Sequence, residues 1–217
     1  MNKWEEVKLS DVTKFIDGDR GKNYPKQHEY LDDGYCLFLN TSNVTSEGFN
    51  FDKTNYISKE KDEVLRKGRL NYNDLILTTR GTIGNIGYYK EGMFSPMRVN
   101  SSMLILRVND DIVSQGFIYY LIKSKSFREY MNLYSSGSAQ PQLPVKDLRQ
   151  IKIQIPDLKT QEKIADLLSS YDELIENNNR RIEILEKSAE EIYKEWFVRM
   201  RFPGYENTKF IKGIPEG

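Results

Sequence analysis

The sequence predicts an α+β protein: a globular head with a mixed or antiparallel sheet, followed by one long coiled-coil-type α-helix. Three observations predict it. Short apolar runs such as Tyr35–Leu39 and Ile151–Ile155 alternate with polar turn segments, as strands do. Ser114–Leu133 has helical spacing instead, through Phe117, Tyr120, Leu121, Phe127 and Met131. From Thr160 to Met200 a seven-residue repeat runs without losing phase. The expected division is a head over 1–155 and a helical spacer with a short tail over 156–217.

In order, Trp4–Ile16 opens with an apolar turn (Val7, Leu9, Val12, Phe15) that ties the N-terminus down as a short strand or helix. Asp17–Asp33, rich in glycine, lysine and tyrosine, is an ordered polar loop. Tyr35–Leu39 is a buried strand that runs into Asn40-Thr41-Ser42-Asn43-Val44, a stretch of short hydrogen-bonding side chains. Leu70–Thr79, Gly84–Tyr89 and Val99–Val108 suit strands, with a tight turn at Arg80-Gly81-Thr82-Ile83-Gly84. After the 114–133 helix, Ser135–Leu143 is a polar loop, Val145–Gln150 one helical turn, and Ile151–Ile155 an edge strand.

Steps of alternating four and three residues along the last third stop at Ile164, Leu168, Tyr171, Ile175, Asn178, Ile182, Leu185, Ala189, Ile192 and Trp196. All but Asn178 are apolar or aromatic, and such a seam faces another helix. At ~1.5 Å per residue the rod is roughly 60 Å long. Thr160 is the expected N-cap, and Pro203-Gly204 ends the helix after Arg199 and Arg201. The polar run Asn177–Arg181 admits two readings: a loop that folds the rod into a hairpin, or a continuous helix with a polar seam position that fixes register. The unbroken phase favours the second. Two copies running antiparallel and crossing near residue 180 would set Ile164 against Trp196, Leu168 against Ile192, Tyr171 against Ala189, Ile175 against Leu185 and Asn178 against Ile182. Tyrosine meeting alanine is the large-against-small match that interdigitation requires.

Composition excludes several classes. Lysine plus arginine equal aspartate plus glutamate at 32 each, so net charge selects no partner. Locally, residues 66–107 hold seven cations (Arg66, Lys67, Arg69, Arg80, Lys90, Arg98, Arg107) against two anions, Asp74 and Glu91. A single cysteine, Cys36, rules out an internal disulfide framework and a cysteine-rich metal site. No apolar run approaches the ~20 residues of a membrane span, and no signal peptide is evident. The expectation is a soluble, cytoplasmic protein.

The glycines of Arg80–Gly87 lack the lysine and hydroxyl of a phosphate loop and the spacing of a dinucleotide fold, so a plain strand turn is the better reading. His28 reads as solvated and Cys36 as core. No catalytic triad, zinc motif or adenine-methyltransferase signature occurs, and carboxylate pairs such as Asp32-Asp33 lack partners at nuclease-like spacing. These absences favour a binding protein without catalytic residues, metal or cofactor of its own. The side chains suited to nucleic acid are Lys22, Tyr24, Asn40, Thr41, Asn43, Thr79, Arg80, Thr82, Arg98, Asn100, Ser101, Ser138, Gln140 and Gln142. Arginine can meet guanine bidentately, glutamine can meet adenine, and hydroxyls hold phosphates.

Gly137, Gln140–Leu143, Asp147-Leu148, Ile153–Pro156, Gln161 and Ile164, with Ile192–Gly204 closing the helix, resemble the specificity subunit of type I restriction–modification systems. Thr79–Gly87 looks like that family's target-recognition domain. The resemblance implies a non-enzymatic subunit that reads double-stranded DNA. It also implies partner modification subunits that bind S-adenosylmethionine and methylate adenine, and a restriction subunit as a further partner. Family members usually carry two recognition domains and two helical spacers in tandem. This sequence has one of each, so it looks like one repeat, a half-subunit or a truncated product. Two copies paired through their rods would mimic a full subunit on a symmetric bipartite target. The rival expectations are a coiled-coil adaptor whose head binds protein, and a nuclease or methyltransferase in its own right.

Overall fold

The computed structural model describes residues 4–133 and 142–216. The chain falls into two compact units, Met1–Asp166 and Leu167–Gly217. At the centre of the first unit is an antiparallel four-stranded sheet in the order β2 (Thr13–Asp17), β10 (Met103–Val108), β7 (Leu75–Thr78), β8 (Ile86–Tyr88). A three-stranded sheet holds β6 (Tyr56–Ile57), β3 (Cys36–Leu39) and β9 (Met97–Val99), with β3 antiparallel to β6 and parallel to β9. Between β3 and β6 lies a small hairpin of β4 (Val44–Thr45) and β5 (Gly48–Phe49). β1 (Glu5–Lys8) pairs with β11 (Lys152–Ile155) and so ties the start of the unit to its end, and the single turn α1 (Leu9–Val12) leads from β1 into β2.

The continuous apolar runs follow from burial on both faces. Leu75, Leu77, Leu104 and Leu106 point into one core, with Phe117, Ile118 and Ile122 of α3 (Gln115–Lys123), Phe127 and Met131 of α4 (Lys125–Leu133), and Leu148 of α5 (Val145–Gln150). Their alternates Ile76, Met103 and Ile105 meet Leu37, Leu39, Met97 and Val99 of the three-stranded sheet in a second core. On that sheet's far side Cys36 and Phe38 join Ile57 and Leu65, of the segment around α2 (Lys59–Val64), in a third. Period-two alternation thus distributes each strand between two cores.

Several expected boundaries move for local reasons. The Leu70–Thr79 strand shrinks to β7 because Asp74 folds Asn71–Asp74 into a turn. Its carboxylate accepts the Asn71 amide at 2.8 Å, and Asn73 takes a φ of 72°. Val99–Val108 divides at Asn100–Ser102, where the chain passes from one sheet to the other. The single helix over 114–133 is two helices. Ser124, extended at ψ 146°, ends α3 and turns its hydroxyl to the Phe127 amide of α4 at 3.3 Å. Thr160 is not the cap of the long helix α6 (Leu158–Tyr193). Asp157 is, accepting the Thr160 amide at 3.1 Å and its hydroxyl at 2.8 Å.

α6 is continuous through Asn177–Arg181 for 36 residues and passes into a π-turn, Lys194–Val198. In the second unit Leu168, Tyr171, Ile175, Asn178, Ile182, Leu185, Ala189, Ile192 and Trp196 are all exposed, Leu185 by 67%. Ile164 departs from the seam expectation: it packs on the first unit's core. Leu167, Leu174, Ile184, Tyr193, Phe197 and Val198 are exposed too, so the apolar band is wider than the seam. The tail closes with a hairpin of β12 (Phe210–Ile211) and β13 (Ile214–Pro215). Its turn residues Lys212 and Gly213 both have positive φ. No helix among the described residues is long and apolar enough to cross a membrane.

Two stability outcomes follow from the third core. Asp62 and Arg98 form an ion pair with side chains 1% and 5% exposed. Arg98→Ala is expected to cost about 3–5 kcal/mol in urea unfolding, because it leaves a carboxylate buried without its closest partner. Burial, with the Asp62 charge nearby, pushes the Cys36 thiol up to about 12. Its reaction with a thiol reagent at about pH 8 is therefore expected to be limited by unfolding, and rapid labelling of the native chain would contradict that burial.

Candidate nucleic-acid interface

Strand polarity brings the predicted loops to one edge of the first unit. β2 ends at Asp17, opposite Leu104 near the start of β10, while Met103 faces Thr78 at the end of β7. β3 and β9 run in parallel and stop together at Leu39 and Val99. The segments that leave these ends, 18–24, 40–43, 79–85 and 100–102, therefore share one rim. Backbone contacts join them. The Asn100 amide donates to the Leu39 carbonyl at 3.0 Å, the Thr79 amide to Ser102 at 3.0 Å, and the Leu143 amide to Thr79 at 2.9 Å. Arg80 and Gln142 face each other across an isolated bridge.

The approach is close enough to dictate glycine. A Cβ on Gly18 would stand 2.2 Å from the Asn100 carbonyl oxygen. Gly84 takes a φ of 86°, which favours glycine, and a Cβ there would press on Met131 and Arg128 of α4 at 3.0 and 3.3 Å.

The expected residues divide into those that hold the rim and those that face outward. Asn43 is buried: its Nδ2 donates to Asn50 and Lys53 carbonyls at 3.0 and 2.8 Å, and its Oδ1 accepts the Asn40 amide at 3.0 Å. Asn40 Oδ1 accepts the amide and hydroxyl of Ser42 at 2.8 and 2.6 Å. The buried Thr79 hydroxyl donates to Ser102, and Asn100 Oδ1 accepts the Ser102 amide at 2.9 Å. Tyr24 stacks edge-on to Phe38, at 5.7 Å between centroids, against the third core. These side chains shape loops, so the direct base contacts expected of Asn43 and Thr79 give way to a supporting role.

Arg98 is the plainest correction. Besides Asp62, its guanidinium donates to the carbonyls of Lys67, Asp62 and Leu65 at 2.7, 2.8 and 3.1 Å, deep under the sheet. Every nitrogen is engaged, and none is offered to guanine. The cationic excess of 66–107 shrinks with it. Arg69 lies 3.0 Å from the second Asp62 oxygen, and Arg107 grips Asp74 bidentately at 2.8 and 2.8 Å.

Lys22, Thr82 and Gln142 remain exposed, with Thr41, Arg80 and Ser101 half-buried beside them. Ser138 and Gln140 lie outside the described residues. The sequence reading did not single out Arg20, whose Nη2 donates to the Ser101 carbonyl at 3.0 Å, and named Arg66 only as one of the cations of 66–107. Arg66 lines a cleft of about 320 Å³ with Asp19, Gly21, Lys22 and Asn23. Asp19 organises that cleft by accepting the Gly21 amide at 2.6 Å and the Arg66 amide at 2.7 Å. Burial works against its charge, yet these donors and the Arg66 guanidinium hold its carboxyl below the usual value. The available signal was the Asp17-Gly18-Asp19-Arg20-Gly21 string, a charged turn between glycines. The rim can thus present hydroxyls, an amide and four cations to a polyanion. Among the described residues no three His, Cys, Asp or Glu side chains cluster to hold a metal.

A family model described as the type I restriction modification DNA specificity domain matches residues 1–187. The MjaIX specificity subunit of Methanocaldococcus jannaschii is 36% identical over 149 residues, which is 66% of this chain and 33% of that protein. The MjaVIII specificity subunit of the same organism is 28% identical over 98% of this chain and 46% of its own length. The solved S subunit of a type I restriction–modification system from M. genitalium shares the fold. Its TM-score is 0.65 at 19% identity, over 91% of this chain and 46% of that one. The chain spans about a third to a half of the curated relatives it matches. With its family model covering most of its length, the chain belongs to the type I restriction–modification DNA specificity domain family.

Proposed function

We propose that this chain supplies DNA sequence specificity to a type I restriction–modification complex, with two copies reading a symmetric bipartite target. The observation that carries the reading is the shared rim: four strand ends deliver outward polar and cationic side chains to one surface. Arg80, Thr82, Gln142 and Thr41 face base edges, while Lys22, Arg20 and Arg66 meet phosphates and confer salt-dependent affinity. The bare seam of α6 is where a second copy lies antiparallel and sets the distance between the heads. The paired helices also dock modification subunits. S-adenosylmethionine and the methyl transfer to adenine belong to those partners, so this chain contributes recognition and no catalytic group.

Two outcomes test the reading. Arg80→Ala is expected to weaken binding to the cognate duplex by about 1–3 kcal/mol in fluorescence anisotropy, with little change on unrelated duplex. Equal affinity for both duplexes in the unaltered chain would instead favour a head that binds protein. Cysteines at Ile175 and Leu185 are expected to crosslink between copies, while Ile175→Asp yields single-copy mass in sedimentation. A single-copy mass for the unaltered chain at high concentration would reject the paired helices.

A further inference from the structure

Gln161, in the first turn of α6, is only 1% exposed, which is unusual for a glutamine. Its Oε1 accepts the Ser114 amide at 2.9 Å. Its Nε2 donates to the Pro156 carbonyl at 2.8 Å and reaches the Ile112 carbonyl at 3.5 Å. One side chain is thereby tied to the backbone on both sides of the joint: the segment that enters α6 and the N-terminus of α3. Ser114 is itself the cap of α3. One turn along, the buried Ala165 rests on Gly116 of α3, so closely that a Cβ on the glycine would stand 2.8 Å from the alanine Cβ.

An apolar stripe alone lets a helix rock on its support, because dispersion contacts have no preferred direction. Directed hydrogen bonds from a buried amide do have one, and leaving them unmade is costly. A contact with no room for a methyl fixes the distance of approach. Together they fix the first two turns of α6 against α3. Residue 180, where two rods would cross, is about 28 Å along the helix from Gln161 at ~1.5 Å per residue. A tilt of roughly 10° there would move the crossing by about 5 Å, more than the ~3.4 Å rise of one base pair.

We infer that Gln161 and the Gly116–Ala165 contact are positioning elements that set which separation between half-sites the protein accepts. Neither touches DNA. The inference rests on the paired-reader function proposed above.

The test is selection of a random duplex library by the full-length chain, with sequencing of the bound fraction. The unaltered protein is expected to return two half-sites at one separation. Gly116→Ala and Gln161→Ala are expected to return the same half-site bases over a spread of separations. Gly116→Ala combined with Ala165→Gly, which restores the missing space, is expected to return the single separation. Thermal melting checks that each variant is folded. Gly116→Ala adds one methyl group and carries the test should Gln161→Ala fail to fold. Unchanged separations in folded variants would overturn the positioning role and leave the paired readers standing. Single, unpaired sites for the unaltered protein would overturn the paired readers, and the positioning role with them.

Discussion

Everything at the rim depends on the shortness of one connection. Val99 ends the three-stranded sheet and Met103 begins its partner strand in the four-stranded sheet, with only Asn100–Ser102 between. Stacked sheets lie about 10 Å apart, and three residues can span that gap only by crossing at the shared edge. β3, parallel to β9, must end at the same edge, and β7 and β2, antiparallel to β10, must end there too. The Asn100 side chain stabilises the crossing by accepting the Ser102 amide. From this short passage comes the collection of loops from positions 18 to 142 on one surface.

Charge in the sequence and charge available to a ligand are different quantities. Arg69, Arg98 and Arg107 raise the local cation count, yet each is paired to Asp62 or Asp74, carboxylates almost fully removed from water. An aspartate buried in this way must be matched, and the matching arginine is spent on the fold. The outward cations of the rim are instead Lys22, Arg66 and Arg80, with Arg20, which lies 3.8 Å from the exposed Asp17 carboxylate; of the four, only Arg20 went unnamed in the sequence reading.

The long helix was legible because its signal is periodic and redundant: ten seam positions repeat one message, and a polar run in the middle could not erase it. The strands were legible in kind and poorly in extent, since Asp74 and Ser124 end elements through side-chain hydrogen bonds that leave hydropathy unchanged. The candidate interface was half legible. Asparagine, serine and threonine are chosen for loops that bind and for loops that merely hold their shape. Only the folded surroundings separate Asn43, wholly occupied by backbone, from Thr82, facing water. Gln161 was visible in the pattern but not its work, because one of its partners, Ser114, caps another helix forty-seven positions earlier.

The separation between side chains that brace the rim and side chains that project from it has an evolutionary corollary. Asn43, Thr79 and Asn100 spend their polar groups on main-chain atoms, so loop shape is insulated from what stands at Thr41, Thr82 or Gln142. Those outward positions can drift by single substitutions at little thermodynamic penalty. On the proposed reading of those positions as base contacts, a lineage could acquire a new preferred site while the scaffold beneath stays intact, turning over its dialect faster than its anatomy.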